Sequence, residues 1–172
     1  MKLVGTAALC GMCLASLAGA APLDTLTFHR DRARTGWNPT ETALTPAAIS
    51  RQGLRVRWES PQFDAVDGYP PRLYASPLYV DEVQIASAKH RGALAVAFAA
   101  TSNGFVYAVN ARANSGTAAG AILWRTQLAK PCKLEPNLLD GIPTGVLATP
   151  VIDRQRRRLR SEEHTSELQS PI

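Results

Sequence analysis

Two stretches near the middle of the chain, residues 94–100 and 105–110, are apolar at almost every position, and a polar break of Thr101, Ser102, Asn103 and Gly104 separates them. Short continuous apolar runs bounded by turn residues are what a strand covered on both faces shows, whereas a half-exposed strand alternates. Asn-Gly between two such runs predicts a hairpin. The expected turn is type I′, because both of its central positions need positive φ. A sheet sandwiched between other sheets is implied.

Around this hairpin a pattern recurs. Trp58, in the run 54–59, is followed by Ala75, Ser76 and Pro77 and a short apolar run ending at Asp81; Trp124, in the run 122–128, is followed by Ala148, Thr149 and Pro150 and a run ending at Asp153. The tryptophans are 66 residues apart and the prolines 73, longer than the ~40–50 residues of common propeller repeats, so insertions are expected in the loops. Residues 83–92 read as a lengthened turn between first and second strands, and residues 129–147, with Pro131, Pro136 and Pro143, as a second insertion. The pattern predicts an all-β chain: a four-stranded antiparallel blade with strands at 75–81, 94–100, 105–110 and 121–128, and a second blade opened by 148–153. The arginine-rich run 154–158 is then an exposed hairpin turn before a second strand beginning at Leu159. Residues 54–59 have no blade before them and are expected to supply the outer strand of a last blade, closing a ring. About one and a half blades are present on this reading.

The repeat has a physical reason. A four-stranded blade has two apolar faces and cannot bury them alone, whereas neighbouring blades around a ring bury both. Trp58 and Trp124 are expected on outermost strands, as wedges over the seams between blades.

Val106, Tyr107, Ala108, Val109, Asn110 and Ala111, running through Ser115 and Gly116 to Leu123 and Trp124, together with Ala148, Thr149, Pro150, Val151, Ile152 and Asp153, resemble the pyrroloquinoline-quinone-like (PQQ-like) β-propeller repeat. Its usual form is Val-Tyr-Ala-Leu-Asp-Ala-x-Thr-Gly-x-x-x-Trp. Asn110 stands here for Asp, Ser115-Gly116 for Thr-Gly, and the gap before Trp124 is wider, which stretches the turn between third and fourth strands. The N-terminal stretch from Phe28 through Gly36, Trp37, Asn38 and Pro39 to Thr45 and Pro46 also resembles the segment that leads into such proteins.

Both ends of the chain read as something other than domain. Lys2, the apolar run 3–17 and the small residues Ala18, Gly19 and Ala20 have the form of a secretory signal peptide over residues 1–20, cut between Ala20 and Ala21. The apolar run is shorter than the ~20 residues of a spanning helix, so no stable membrane anchor is expected, and an exported chain, periplasmic or extracellular, is. At the other end Arg160 to Ser170 resembles, codon by codon, the translation of a common short-read sequencing adapter. Residues 160–172 are therefore expected to be an artefactual tail that packs on nothing, with the natural protein continuing past Leu159. Between these ends lie an N-terminal lead-in segment, 21–53, and the truncated propeller, 54–159.

Removing Lys2 and Arg160 from the 19 basic residues and Glu162, Glu163 and Glu167 from the 14 acidic ones leaves 17 against 11, a net charge of +6. The basic residues are scattered outside 154–158 and no aromatic platform accompanies them, so nucleic acid is not expected as a partner; a protein or small-molecule partner stays unidentified. Cys132 is the one cysteine outside the leader. In an exported chain it is either half of a disulfide or a free thiol.

The resemblance implies a leading enzymatic reading: quinoprotein dehydrogenases of this fold hold pyrroloquinoline quinone in a central channel beside calcium, with a carboxylate as base. Those enzymes typically carry two adjacent cysteines soon after the tryptophan of an early blade, and here Cys132 stands alone between Pro131 and Lys133. A non-catalytic binding or assembly scaffold is the preferred expectation, and the dehydrogenase the alternative, its residues lying beyond the truncation. Within the chain no catalytic or metal residue is assigned. Asp64 and Asp67 before Gly68 read as a solvated turn rather than a calcium loop, which needs six to eight oxygens; His29 reads as a surface or capping residue; Glu135 and Asp140 read as solvent-facing. The residues expected to define the repeat are Trp58, Pro77, Asn103, Gly104, Trp124 and Pro150.

Overall fold

A computed structural model of the protein describes residues 23–114, 116–128, 130–132, 144–163 and 166–171, the last strands by their backbone pairing. The expected signal peptide, residues 1–20, with Ala20 and Ala21, as well as Glu135 and Asp140, lie outside the described residues. The chain is mostly β. Strands β1 (Leu78–Ala86), β2 (Arg91–Ala100), β3 (Phe105–Asn110) and β4 (Ile122–Gln127) form one antiparallel sheet in the order β1-β2-β3-β4, and β5 (Val151–Asp153), β6 (Arg158–Glu163) and β7 (Ser166–Pro171) a second in the order β5-β6-β7. One short helix, α1 (Pro46–Gln52), precedes them. Thr45 caps it by accepting a hydrogen bond from Ala48 N, and Gly53 at φ 66° ends it, the residue types usual at a helix start and stop.

The four strands of the first sheet are those expected, and the register assigns their faces. Leu78, Phe98, Ala108 and Trp124 stand opposite one another in a row across all four strands. With Val80, Leu94, Val96, Ala100 and Val106 they build one apolar face, and onto it pack Val146 and, from the second sheet, Ile152 and Leu159. On the other face Tyr79 stands opposite Ala97, and Ala99 opposite Tyr107. Every residue of β3 after Phe105 is buried, as its unalternating sequence requires.

Pro77 and Pro150 each stand one residue ahead of the first strand of their sheet, where the missing N–H removes no ladder bond. The equivalence extends to contact: Ser76 N donates to Thr149 Oγ1 at 2.9 Å, so the second residues of the two Ala-Ser/Thr-Pro motifs touch. The lead-in segment binds both first strands. Thr25 and Tyr79 exchange backbone hydrogen bonds at 2.7 and 3.0 Å, and Ile152 N donates to Leu26 O at 2.8 Å.

Three expectations are corrected. The insertion 83–92 is mostly strand: β1 bends at a bulge between Val80 and Val83 and runs on to Ala86, because Val83 and Ile85 are buried while Gln84 and Ala86 are exposed, the period of a strand. The Asn103-Gly104 turn is not type I′. Only Gly104 has positive φ, 79°, and Gly104 N donates to Thr101 O at 2.9 Å, the pattern of a type I turn followed by a left-handed glycine. The positive pair occurs instead at Asp67 (φ 52°) and Gly68 (φ 80°), between Val66 and Tyr69, which exchange both backbone hydrogen bonds. Finally, the tail does not pack on nothing: Arg160 pairs with Val151, and β7 pairs along β6. Backbone groups form a ladder with whatever side chains they carry, so strand pairing needs no selected sequence. The fit is imperfect at Ser161, which is 2% exposed and whose hydroxyl has no partner among the described residues.

Residues 54–59 belong to no strand, with Leu54 72% and Val56 77% exposed. Residues 154–157 form the β5–β6 turn, as expected. Two of its arginines are held: Arg154 pairs with Asp24, and Arg156 with Asp153.

Candidate functional site

The face of the first sheet turned away from the apolar row carries two side-chain hydrogen-bond networks, each built on a tyrosine. Alternation along β2 places Ala95, Ala97 and Ala99 on it, and β1 and β3 add Tyr79 and Tyr107. Small side chains on the central strand leave room for the two rings. Each tyrosine then ends in a carboxylate and an arginine.

Tyr107 is fully buried, with its ring stacked on Phe63 at 4.1 Å and 14°. Its hydroxyl donates to Asp64 Oδ2 at 2.6 Å and accepts from Asp64 N at 2.9 Å. Arg125, opposite Tyr107 on β4, pairs with Asp64 and lies 5.8 Å from the centre of the Phe105 ring. Hydrogen bonding from Arg125, followed by that from Tyr107, holds the Asp64 carboxyl below its ordinary range. Burial, and then the hydrogen bond to Asp64, pushes the Tyr107 hydroxyl up to about 12.

Tyr79 repeats the arrangement. Its hydroxyl donates to Asp81 Oδ1 at 2.8 Å, and Arg112 reaches both Asp81 Oδ1, at 2.9 Å, and the tyrosine oxygen, at 3.2 Å. Burial, followed by the bond to Asp81, pushes this hydroxyl up to about 12 as well. Asp81 Nα is in turn held by Asp24 Oδ1 at 2.9 Å, and Asp24 pairs with Arg154 on the β5–β6 turn. A groove of about 220 Å³ opens beside this end of β1, lined by Val80, Glu82, Val83, Gln84, Arg154 and Arg157.

Chemically, both tyrosines are donors throughout the neutral range, and Asp64 is a weaker base than a free carboxylate. The networks hold geometry and charge; they do not present a group poised to exchange a proton near neutrality. Asp64 is thus bound, not merely solvated. Tyr107 and Arg125 both bond to the Asp64 carboxylate, while Asp67 lies in the tight turn. Among the described residues no three His, Cys, Asp or Glu side chains gather as a metal group, and no described helix is long and apolar enough to cross a membrane.

The residues expected to define the repeat fall in different places. Trp124 lies on β4, half-buried, with its ring centre 5.9 Å from that of Phe98. Trp58 is half-buried but on no strand, beside Gly120, where a Cβ would lie 2.1 Å from Glu59 O and 3.6 Å from the Trp58 ring. Asn103 and Gly104 lie in a buried turn, and Pro77 and Pro150 precede their sheets. His29 caps locally, its Nδ1 lying 3.0 Å from Arg34 O. Cys132 is an exposed free thiol. The Tyr-Asp-Arg networks were not anticipated; Asp81 follows Tyr79 by two residues on β1 and Arg125 lies on β4, while Asp64 and Arg112 come from loops 43 and 33 residues from the tyrosines they meet. Compared with protein-family models, curated proteins and solved structures, the chain matches none.

Proposed function

We propose that this chain is the opening of an exported PQQ-like β-propeller that serves as a non-catalytic binding or assembly scaffold. The observation that carries the reading is the contact between equivalent residues, Ser76 N to Thr149 Oγ1, at the start of two successive sheets. Equivalent positions meet in this way when successive units are related by rotation about a common axis, with their first strands nearest it. The exposed 54–59 run suits an outer strand whose own blade comes later in the natural protein, beyond Leu159.

Scaffold is favoured over dehydrogenase by the chemistry of what is present. Cys132 lacks the adjacent cysteine of the quinoproteins the repeat resembles, and the Asp64 carboxylate is tied to Tyr107 and Arg125. The test is to recover the uninterrupted gene, purify its product from the exported fraction and titrate it with pyrroloquinoline quinone in the presence of calcium. A cooperatively folded protein that binds no quinone is expected. Stoichiometric, calcium-dependent quinone binding with dye-linked alcohol or sugar oxidation would establish the dehydrogenase instead.

A further inference from the structure

The turn between β2 and β3 contains the sequence most prone to spontaneous loss of an amide, Asn followed by Gly, and the fold encloses it. Asparagine before glycine is labile because the glycine N–H meets no side chain as it approaches the asparagine carboxamide. On a surface hairpin such a pair ages without hindrance. Here Thr101, Ser102 and Asn103 are each fully buried.

Two segments from distant parts of the chain make the enclosure. On one side Asn103 Nδ2 donates to Asp64 O at 3.0 Å and to Tyr69 O at 3.2 Å, and Ser102 N donates to Arg72 O at 2.9 Å. On the other, Gly145 N donates to Ser102 O at 2.6 Å and Val146 N to Thr101 O at 3.2 Å. Gly145 lies so close that a Cβ there would be 2.3 Å from Gly104 N. The attacking nitrogen is itself occupied, donating to Thr101 O at 2.9 Å. Nucleophile and carboxamide are thus both held, and water is excluded.

We propose that Asn103 is a deamidation site gated by the closure of residues 64–72 and 144–146 over the turn. When these segments open, Gly104 N loses its proton and bonds to Asn103 Cγ, and the Cγ–Nδ2 bond breaks with release of ammonia. Water then opens the cyclic imide at either carbonyl to leave aspartate or isoaspartate. One water enters, one ammonia leaves, and no oxidant is needed. The product does not fit the closed turn. A carboxylate offers only acceptors to the carbonyls of Asp64 and Tyr69, and Asn103 Oδ1 already lacks a partner among the described residues. A transient opening is thereby converted into permanent loss of closure.

The test incubates the whole chain at mildly alkaline pH, with and without denaturing urea, and follows ammonia release and the masses of peptides containing Asn103. Deamidation at least about tenfold slower in the folded chain is expected, since exchange through local opening is slowed by the opening equilibrium. Tyr107→Phe, which releases one tie on the Asp64 segment, is expected to recover part of the unfolded rate, and chain already deamidated at Asn103 is expected not to regain its β-sheet signal when urea is removed. Equal rates with and without urea, unchanged protection in Tyr107→Phe, or full refolding of the deamidated chain would each overturn the proposal.

Discussion

At Tyr107 a single phenolic oxygen is both donor and acceptor to one residue, giving to the Asp64 carboxylate and receiving from the Asp64 amide. Tyr107→Phe keeps the stack on Phe63 and removes both bonds, so it is expected to lower stability by about 1–2 kcal/mol, read from the urea midpoint; an unchanged midpoint would mean that the tie contributes nothing. The same oxygen sets a pH limit. Tyr79 and Tyr107 hold their protons up to about 12 in the folded chain, against 10.0 for an ordinary tyrosine. Below pH 10 both forms of the chain are protonated and stability is whole. Between pH 10 and about 12 the unfolded chain ionises first, so stability falls as pH rises through that window. Asp64 acts in the opposite direction: its carboxyl is held below 3.8, so its contribution is present above that value and is lost as the solution is acidified past it. Urea midpoints taken on either side of pH 10 should show the alkaline loss in the natural chain and a smaller one in Tyr107→Phe.

Among the elements, the β2–β3 hairpin was legible because its two arms are apolar throughout and its break is polar. The nature of its turn was not, because an Asn-Gly pair does not reveal whether its side chain is in water or bound to two carbonyls thirty or more residues away. Asp67-Gly68 carried the same turn chemistry and did adopt it, in a loop with no apolar arms to draw attention to it. The extension of β1 to Ala86 was written in the alternation of Val83 and Ile85 but was masked by the bulge that breaks the period after Val80. The Tyr-Asp-Arg networks were least legible, since Asp64 and Tyr107 meet only once the chain has folded back over 43 residues. The pairing of the tail was misjudged for another reason: backbone hydrogen bonding does not depend on the side chains by which the segment was judged. Gly145 offers a direct test of the hairpin's surroundings. A methyl there meets backbone, at Gly104 N and Cα, rather than a side chain that can swing away. Gly145→Ala is therefore expected to destabilise by about 2–3 kcal/mol, with β-sheet signal lost at correspondingly lower urea; tolerance of the methyl would show that the 144–146 segment moves freely off the turn.

For the molecule as a whole, the exposed apolar side chains of Leu54 and Val56 invite association. On the proposed propeller reading, the chain expressed as it stands is expected to elute as mixed oligomers on size exclusion and to melt broadly, and a longer product that closes the ring to melt in one sharp transition; a monodisperse short chain with an equally sharp melt would show that these residues form an autonomous domain. The joint made by Thr25 and Leu26 has a kinetic consequence. These two residues leave the ribosome before either sheet, yet Thr25 must wait 54 positions for Tyr79, and Leu26 must wait 126 for Ile152. Contacts so distant along the chain require large loops to close first, which slows folding. The Thr25–Leu26 joint is therefore expected to be seated late, onto two sheets already held together by the packing of Ile152 and Leu159 on the first sheet and by the contact of Ser76 with Thr149.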